Sequence, residues 1–378
     1  MDFELSEDQR LLTDSVRRLL ADRYDFQARK RYQAEPDGWS AELWQQYAEL
    51  GLLGVPFAEE YGGFGGGGVE VMLLMEAFGR VLALEPYLAT VVLGGTALRL
   101  AGSAAQKSAL LPQVIAGTLK LGFAHGERQS RYDLCDVLTT ATRDATGWTL
   151  EGGKTVVLHG DCADKLIVSA RMSGARDDAD GLTLFIVDMS VPGMARRGYA
   201  MQDGTRAADV SLSGVKVGAG DVLGDVGRGM PIIARVVEAG IAAMAAEAVG
   251  AMEAMQTMTL DYLKTRQQFG RAIGENQVLQ HRSAEMLVAL EQGRSMAMLA
   301  SMMVDEPDEA ERKRNISMAK VGVGQSGRFV SQSAVQLHGG IGMTEEYAVG
   351  HYFRRVMVCE HMFGDCAHHL ALLAAGVA

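Results

Sequence analysis

The stretch CEHMFGDCAHH, residues 359–369, concentrates side chains that bind metals or transfer protons. It holds two cysteines, three histidines, one aspartate and one glutamate within eleven positions. Thiolates, imidazoles and carboxylates are the usual ligands of zinc, but their spacing here follows none of the paired patterns typical of zinc sites. The sequence therefore predicts no metal site, and these residues must serve another purpose.

Glu247 is a second residue that could do chemistry. It lies in IAAMAAEAVGAM, a strongly apolar stretch. An unpaired carboxylate is costly to bury among apolar groups. Glu247 therefore needs either a structural hydrogen bond or a function such as general base catalysis. The sequence leaves both interpretations open.

Composition restricts the class of protein. The chain has 378 residues, of which 48% are apolar and 22% charged, with a net charge of -11. This acidic balance argues against nucleic-acid binding, which requires a basic surface. Four cysteines do not make a disulfide framework, so a reducing cytoplasm is expected. The acidic, amphipathic start MDFELSEDQRLL resembles no signal peptide, and no apolar run reaches the ~18–20 residues of a membrane span.

Hydrophobic periodicity changes twice along the chain. Helical spacing dominates at first, and Ser6 precedes the first helix as a candidate N-cap. Short β-rich runs separated by Gly, Asp and Ser turns follow, and helical spacing then returns. Long helices are predicted over 230–265, 277–303 and 308–337. The predicted domains are a helical domain (1–118), a middle β domain (119–224) and a C-terminal helical domain (225–378).

The glycine-rich stretch GGFGGGG, residues 62–68, contains a formal G-x-G-x-x-G match. A dinucleotide fingerprint requires a preceding strand and a surrounding βαβ unit. The residues before it, PFAEEY, are loop-like, and those after it are helical. We therefore expect a flexible loop between two helices.

Three ordered stretches of the chain resemble the acyl-CoA dehydrogenase family of flavoproteins. They are LGLLGVPFAEEYGGFG (50–65), TRQQFGRAIGENQVLQHRSAEM (265–286) and AVQLHGGIGMTEEYAVGHYFRR (334–355). The resemblance implies an α+β fold with an N-terminal helical domain, a middle β domain and a C-terminal four-helix bundle. The chain is most similar to the small subunits of pimeloyl-CoA dehydrogenase-type heteromeric enzymes.

This resemblance implies FAD as the cofactor. Arg266 offers a fork of donors to a pyrophosphate, and the resemblance places it, with Phe269 and Gln277, near the adenosine half of FAD in a neighbouring subunit. Gln336, Gly339 and Gly340 would approach the same cofactor closely. An oligomer is therefore expected, either a homodimer or tetramer or an assembly with a homologous large subunit.

The flavin ring is expected against the β domain, where the chain departs from the family. The matching positions are Phe123, His125, Gly126, Glu127, Val156 and Leu158. Val156 and Leu158 stand where the family usually has Trp and Ser or Thr, so two side-chain donors are missing. His125 either substitutes for one of them or is an ordinary buried histidine.

The family's catalytic glutamate removes the substrate α-proton while the β-hydrogen leaves as hydride to the flavin. Ungapped counting places that glutamate at Phe363, followed by a retained Gly364, and phenylalanine cannot accept a proton. Some members carry the base on the long helix instead, at a position that corresponds to Gly240. Glu247 lies about two helical turns further on, and Asp365 is another candidate.

A third explanation is that this chain is the small subunit of a hetero-oligomer and does no proton chemistry itself. The resemblance then implies an acyl-CoA substrate, an acceptor such as an electron-transfer flavoprotein, and a bacterial cytoplasmic location. The competing hypotheses are a homotetramer that uses Glu247 as its base and a non-catalytic flavin-binding or scaffold subunit.

Overall fold

The computed structural model of the chain describes residues 5–145 and 147–376. Contacts between Cα atoms group these residues into two compact units. The helical unit takes its residues from Met1–Arg31, Gly67–Ala83 and Ile241–Ala378, and the β unit from Tyr32–Gly66 and Leu84–Gly240.

The predicted order of helices, strands and helices is present. Helices before the first strand are α1 (Glu7–Arg23), α2 (Phe26–Gln33), α3 (Ala41–Glu49), α4 (Gly68–Val81), α5 (Gly95–Ala101) and α6 (Ala104–Ile115). Ser6 caps α1 as predicted, because its hydroxyl accepts from the Gln9 amide at 3.2 Å while the Gln9 side chain accepts from Ser6 N at 2.9 Å.

The later helices follow the predicted periodicity closely. They are α7 (Met230–Thr265), α8 (Gln277–Met303), α9 (Glu309–His338), α10 (Val349–His361) and α11 (Cys366–Ala374). The three longest begin and end within one residue of the predicted bounds, because long amphipathic patterns are the strongest sequence signal for helices. Among the described residues, no helix is both long and apolar enough to cross a membrane.

Two glycines let α4 and α7 touch backbone to backbone in the helical unit. A Cβ on Gly79 would lie 2.0 Å from the carbonyl oxygen of Glu247, and a Cβ on Gly250 would lie 2.0 Å from the carbonyl oxygen of Glu76. No side chain fits into such a distance, so both positions require glycine for a steric reason rather than for a special backbone conformation. The crossing fixes the register of the two helices.

Beside this crossing, four charged side chains join α4, α7 and α8. Arg294 donates to Glu76 at 2.7 Å and to Glu253 at 2.9 Å, and Arg80 donates to Glu253 at 2.5 Å. Burial lowers the pKa of Arg294, but the two carboxylates outweigh burial and raise it above its usual range. The four residues thus form a network of alternating charge, which is worth more than isolated surface pairs.

The β unit contains one eight-stranded sheet. Its strands are β1 (Leu121–Ala124), β2 (Thr140–Arg143), β3 (Trp148–Leu158), β4 (Lys165–Arg171), β5 (Leu182–Asp188), β6 (Met194–Ala200), β7 (Arg206–Val217) and β8 (Val222–Leu223). The order is β6-β7-β3-β2-β4-β5-β8, and β1 pairs with β4 in parallel. Trp148, Leu150, Phe185 and Val210 belong to its buried core.

The sequence patterns did not predict β6. This strand is largely exposed, carries Arg196 and Arg197, and among the described strands pairs only with β7. An edge strand buries little apolar surface, and charged side chains on it discourage further pairing. Without apolar alternation there was no signal to detect.

A π-helical turn supports β1 in the β unit. Leu88–Gly94 is fully buried and leads directly into α5. The Thr90 hydroxyl donates to the Leu121 carbonyl at 3.2 Å and accepts from the Leu121 amide at 3.3 Å. Because π-turns disturb helix geometry, they often occur where function demands it. Here the turn pairs with the first residue of the strand that leads to His125.

The glycine-rich stretch at 62–68 has no dinucleotide-binding context. Among the described residues, the first strand begins at Leu121, well after this stretch. Gly68 instead begins α4, as expected for a connection into a helix.

We predict that Gly79→Ala and Gly250→Ala each lower the stability of the protein by about 3 kcal/mol, because the added methyl group forces two helix backbones apart. The measurement is the midpoint of thermal unfolding followed by circular dichroism. Gly220→Ala is the control, since a Cβ there meets nothing within 4 Å. Equal midpoints for all three variants would contradict the close crossing.

Candidate active site

Phe363 lies between α10 and α11, in the turn formed by residues 362–365. Its backbone is left-handed, with φ +59°, and Gly364 follows with φ +102°. A Cβ on Gly364 would lie 2.6 Å from ring atoms of both His368 and His369. A left-handed non-glycine residue costs about 1–2 kcal/mol and persists only where its surroundings hold it there. Turn 362–365 therefore holds residue 363 in a strained conformation.

Asp365 caps the helix that follows Phe363. Its carboxylate accepts from the His368 amide at 2.8 Å, and this hydrogen bond is the main reason why the pKa of Asp365 is lowered. The residue thus has a structural task at the start of α11. Within residues 5–145 and 147–376, no group of three or more His, Cys, Asp or Glu side chains could hold a metal ion.

Glu247 is engaged in a buried ion pair. Its two carboxylate oxygens each accept from the Arg355 guanidinium at 2.7 Å, and the side chains are only 4% and 8% exposed. This fork-to-fork pairing satisfies the hydrogen-bond requirement that the apolar surroundings created. The burial of Glu247 is thereby explained without catalysis, and its function as a base stays a prediction.

His125 is a buried histidine at the end of β1. It stacks on Phe123 with ring centroids 5.9 Å apart, and its Nδ1 lies 2.9 Å from the Ser169 hydroxyl. Burial, assisted by the nearby Lys154 charge, lowers the pKa of His125 to about 3. The imidazole is therefore neutral at physiological pH. Of the two interpretations of His125, this geometry favours the structural one.

A buried lysine organises the residues after β1. Lys154 donates to Glu127 at 2.7 Å, to the His125 carbonyl at 3.2 Å and to the Ser169 hydroxyl at 3.0 Å. Burial raises the pKa of Glu127, but the Lys154 charge and the hydrogen bonds from Lys154, Thr139 and Gln129 together outweigh burial and hold that pKa well below its usual range. The sequence patterns did not predict a role for Lys154, although a lysine within the strand pattern GGKTVVL was a usable signal.

Val156 occupies a bulge in β3. It is 43% exposed with φ +52°, and the β3–β7 register shifts between Lys154 and Val157. The neighbouring Thr155 amide donates to the Gly126 carbonyl at 2.9 Å, which brings the bulge to the end of β1. A β-branched residue with positive φ is a genuine outlier. Leu158, by contrast, is buried.

A short hairpin after α7 carries two of the predicted cofactor residues. It consists of β9 (Gln267–Gln268) and β10 (Arg271–Ala272), and Phe269 at its tip is 100% exposed with φ +54°. Arg266, just before β9, is exposed, and in the described part of the chain no carboxylate pairs with its guanidinium. Gln277 is also exposed, at the first position of α8. These side chains are available to a ligand.

Stacked rings hold residues 338–340, the HGG segment, at the same end of the helical unit as the hairpin after α7. Tyr262 in the last turn of α7 stacks on His338 with ring centroids 4.6 Å apart, and His338 immediately precedes Gly339. The Tyr262 carbonyl also accepts from the Arg266 amide at 2.8 Å. Arg266 and Gly339 therefore both lie next to the stacked rings of Tyr262 and His338.

The HGG segment itself is open. Gln336, Gly339 and Gly340 are all exposed. A Cβ on either glycine would meet nothing within 4 Å, and Gly339 has φ +65°. Glycine is thus required at 339 by its backbone conformation. At Gly340, no contact with the described residues of this chain requires glycine rather than a larger residue.

Comparisons with known proteins identify the class of protein. The family models of the acyl-CoA dehydrogenase N-terminal, middle and C-terminal domains match residues 6–118, 122–215 and 227–378, in that order. The chain therefore belongs to the acyl-CoA dehydrogenase family. This confirms the predicted fold class of a helical, a β and a helical domain, while the predicted domain boundaries at 118 and 224 stay predictions.

Individual relatives agree with this family over nearly the whole chain. The chain is 27% identical over 365 residues to the probable acyl-CoA dehydrogenase YngJ of Bacillus subtilis, covering 95% of both chains. It is 28% identical over 330 residues to subunit CarC of the caffeyl-CoA reductase-Etf complex of Acetobacterium woodii, covering 86% of this chain and 84% of CarC. The solved structure of butyryl-CoA dehydrogenase from Megasphaera elsdenii has a TM-score of 0.91 at 26% identity and covers 100% of both.

The Glu247–Arg355 pair makes a prediction about stability. Arg355→Met leaves a buried carboxylate without its partner and should cost about 3–5 kcal/mol. The double variant Glu247→Leu, Arg355→Met removes both charges and should recover most of that loss. Arg314→Met, which changes an exposed arginine on α9, is the control. Thermal unfolding of the wild type and the three variants measures these differences. A double variant as unstable as Arg355→Met would contradict the prediction.

Proposed function

We propose that this chain is an FAD-binding acyl-CoA dehydrogenase subunit that relies on a homologous large subunit for the catalytic carboxylate. The observation that supports this is Phe363. The position assigned to the family's glutamate holds an aromatic side chain in a strained, well-defined turn, and the nearest alternative carboxylate on α7 is bound by Arg355. A residue that cannot accept a proton thus stands where the base is expected.

Features of the β unit fit the isoalloxazine end of FAD. Gly126 and Val156 are both exposed where β1 meets the bulge, and Gly126 has no side chain, so that backbone groups there can approach a flat ring. The buried Lys154–Glu127 pair connects β3 to the residues after β1 and holds both in place. Backbone hydrogen bonds would then replace the two side-chain donors that are missing at Val156 and Leu158. Bound FAD would accept the hydride from the substrate β-carbon.

Features of the helical unit fit the other end of an FAD molecule carried by a second subunit. Arg266 is an exposed guanidinium suited to a pyrophosphate. Phe269 is a fully exposed aromatic ring suited to stacking on adenine. Gln277, Gln336 and the open glycines Gly339 and Gly340 complete this surface. Because the bound FAD would belong to a second subunit, this surface requires an oligomer of either identical or homologous chains.

The partners follow from the same proposal. The substrate is an acyl-CoA, whose α-proton is taken by a carboxylate of the large subunit. CarC is a subunit of a reductase-Etf complex, and the similarity of the chain to CarC supports an electron-transfer flavoprotein as redox partner. We also propose the small-subunit role seen in pimeloyl-CoA dehydrogenase-type enzymes and a bacterial cytoplasmic location.

Cofactor content tests the binding half of this proposal. We predict that the purified chain retains FAD and that Arg266→Met lowers its affinity about tenfold or more, since charge-assisted hydrogen bonds contribute about 1.5–3 kcal/mol. Titration of the apoprotein with FAD, followed by protein fluorescence, measures this. Arg314→Met is the control. A chain that binds no FAD even as a homo-oligomer would instead support the scaffold hypothesis.

Substitution at residue 363 tests the catalytic half. The wild-type chain alone should keep an oxidised flavin spectrum with butyryl-CoA, octanoyl-CoA or pimeloyl-CoA, because no base acts on the α-proton. We predict that Phe363→Glu is bleached by at least one of these thioesters. The measurement is flavin absorbance under anaerobic conditions.

The variant Glu247→Gln tests the competing hypothesis, a homotetramer that uses Glu247 as its base. If the wild-type chain is bleached alone and Glu247→Gln abolishes this bleaching at unchanged FAD content, Glu247 is the base and our proposal is wrong. If the wild-type chain is bleached and Glu247→Gln changes nothing, another base exists and the proposal is equally wrong.

A further inference from the structure

A buried lysine on α9 binds the chain just before Phe363. Lys320 donates to the Cys359 carbonyl at 2.5 Å and to the Met362 carbonyl at 2.8 Å. The last carbonyls of a helix have no partner within the helix, so α10 needs such donors at its end. A cation near the C-terminus of α10 is also favoured by the helix dipole. Lys320 thus fixes the residue before 363.

A second donor binds the carbonyl of residue 363 itself. His369 on α11 lies with Nε2 3.0 Å from the Phe363 carbonyl and Nδ1 3.0 Å from the Ser317 hydroxyl of α9. Burial lowers the pKa of His369 to about 4, so the ring carries one N–H at neutral pH. That proton lies on Nε2, since a carbonyl can only accept. The Phe363 carbonyl thus fixes the tautomer, and Nδ1 accepts from the Ser317 hydroxyl, which can donate or accept.

The surrounding side chains leave turn 362–365 little freedom. The Cys366 amide donates to Glu360 at 3.2 Å, and a Cβ on Gly324 of α9 would lie 2.5 Å from the Cys366 sulfur. Burial lowers the pKa of Lys320 to about 8, yet a neutral amine still has two N–H groups for its two acceptors. The hydrogen bonds to the turn therefore do not depend on the lysine charge.

We propose that Lys320 and the Ser317–His369 pair are positioning residues that hold residue 363 in one left-handed conformation, whichever side chain it carries. In this chain they present Phe363 to the acyl-CoA in a single orientation, where it fills the place of the base and determines which thioesters fit. That functional half rests on the proposed function. The conformational half rests only on the hydrogen bonds to the carbonyls of residues 359, 362 and 363.

Fluorine NMR tests the conformational half directly. With para-fluorophenylalanine incorporated at position 363, the wild-type protein should give one narrow line. Lys320→Met and His369→Leu should each broaden or split that line, whereas His369→Gln, which keeps a donor near Nε2, should restore it. Lys313→Met changes a half-exposed lysine on α9 and should leave the line unchanged. A single unchanged line in both Lys320→Met and His369→Leu overturns the proposal.

Kinetics in the Phe363→Glu background test the functional half. Adding Lys320→Met should lower the rate of flavin reduction by butyryl-CoA about 10²-fold, as expected for a misplaced catalytic group, with little change in the half-saturating concentration. A loss of binding at unchanged rate would overturn the positioning role. If Phe363→Glu alone is never bleached, the proposed function fails while the NMR result still decides the conformational half. If Lys320→Met does not fold, the His369→Leu and His369→Gln pair carries the same test.

Discussion

In the helical unit, α4 and α7 are in backbone contact at Gly79 and Gly250. Because neither position has room for a Cβ, the two helices can cross at one register only. That register places Glu76 and Glu253 where Arg294 reaches both. It also places Glu247, whose carbonyl touches the Gly79 position, with its side chain towards Arg355. The conformation around Phe363 depends on these contacts in turn.

Arg355 is the link between the crossing and the turn. It belongs to α10, and its bidentate pair with Glu247 ties α10 to α7. The same helix ends at His361, and Lys320 holds its last carbonyls from α9. The turn formed by residues 362–365 is thus bound by α9 through Lys320 and by α11 through His369. Buried ion pairs contribute little net stability, because desolvation offsets their attraction. What they provide here is a definite arrangement, since any other arrangement would leave a buried charge unpaired.

The β unit solves a similar problem with Lys154 and Glu127. This pair is almost completely buried, at 0% and 3% exposure of the side chains. It holds the end of β1 against the bulge in β3, since Lys154 donates to both Glu127 and the His125 carbonyl. A site that depends on backbone groups needs its backbone fixed more firmly than one that uses side chains. The same logic applies at Phe363, where the frame around the turn is complete although its side chain cannot act as a base.

Much of the fold was predictable from local patterns. The N-cap Ser6, the long helices α7 to α9 and most strands follow from periodicity and turn residues, because these signals lie within a few residues of one another. Strand β6 was missed for lack of apolar alternation, and the π-helical turn at Leu88–Gly94 was not distinguishable from an ordinary helix. The candidate residues Arg266, Phe269 and Gly339 were named from their motifs, and the structure shows that they are exposed.

By itself, the sequence determined the family, the order of the elements and the presence of phenylalanine at position 363. Only the tertiary structure decided what surrounds the candidate groups. Glu247 and Arg355 are separated by 108 positions in the chain and Lys320 and Cys359 by 39, so no local pattern could pair them. The left-handed backbone of Phe363 is likewise imposed from outside, by donors on α9 and α11. Such contacts depend on how helices pack, and a single sequence does not state that directly.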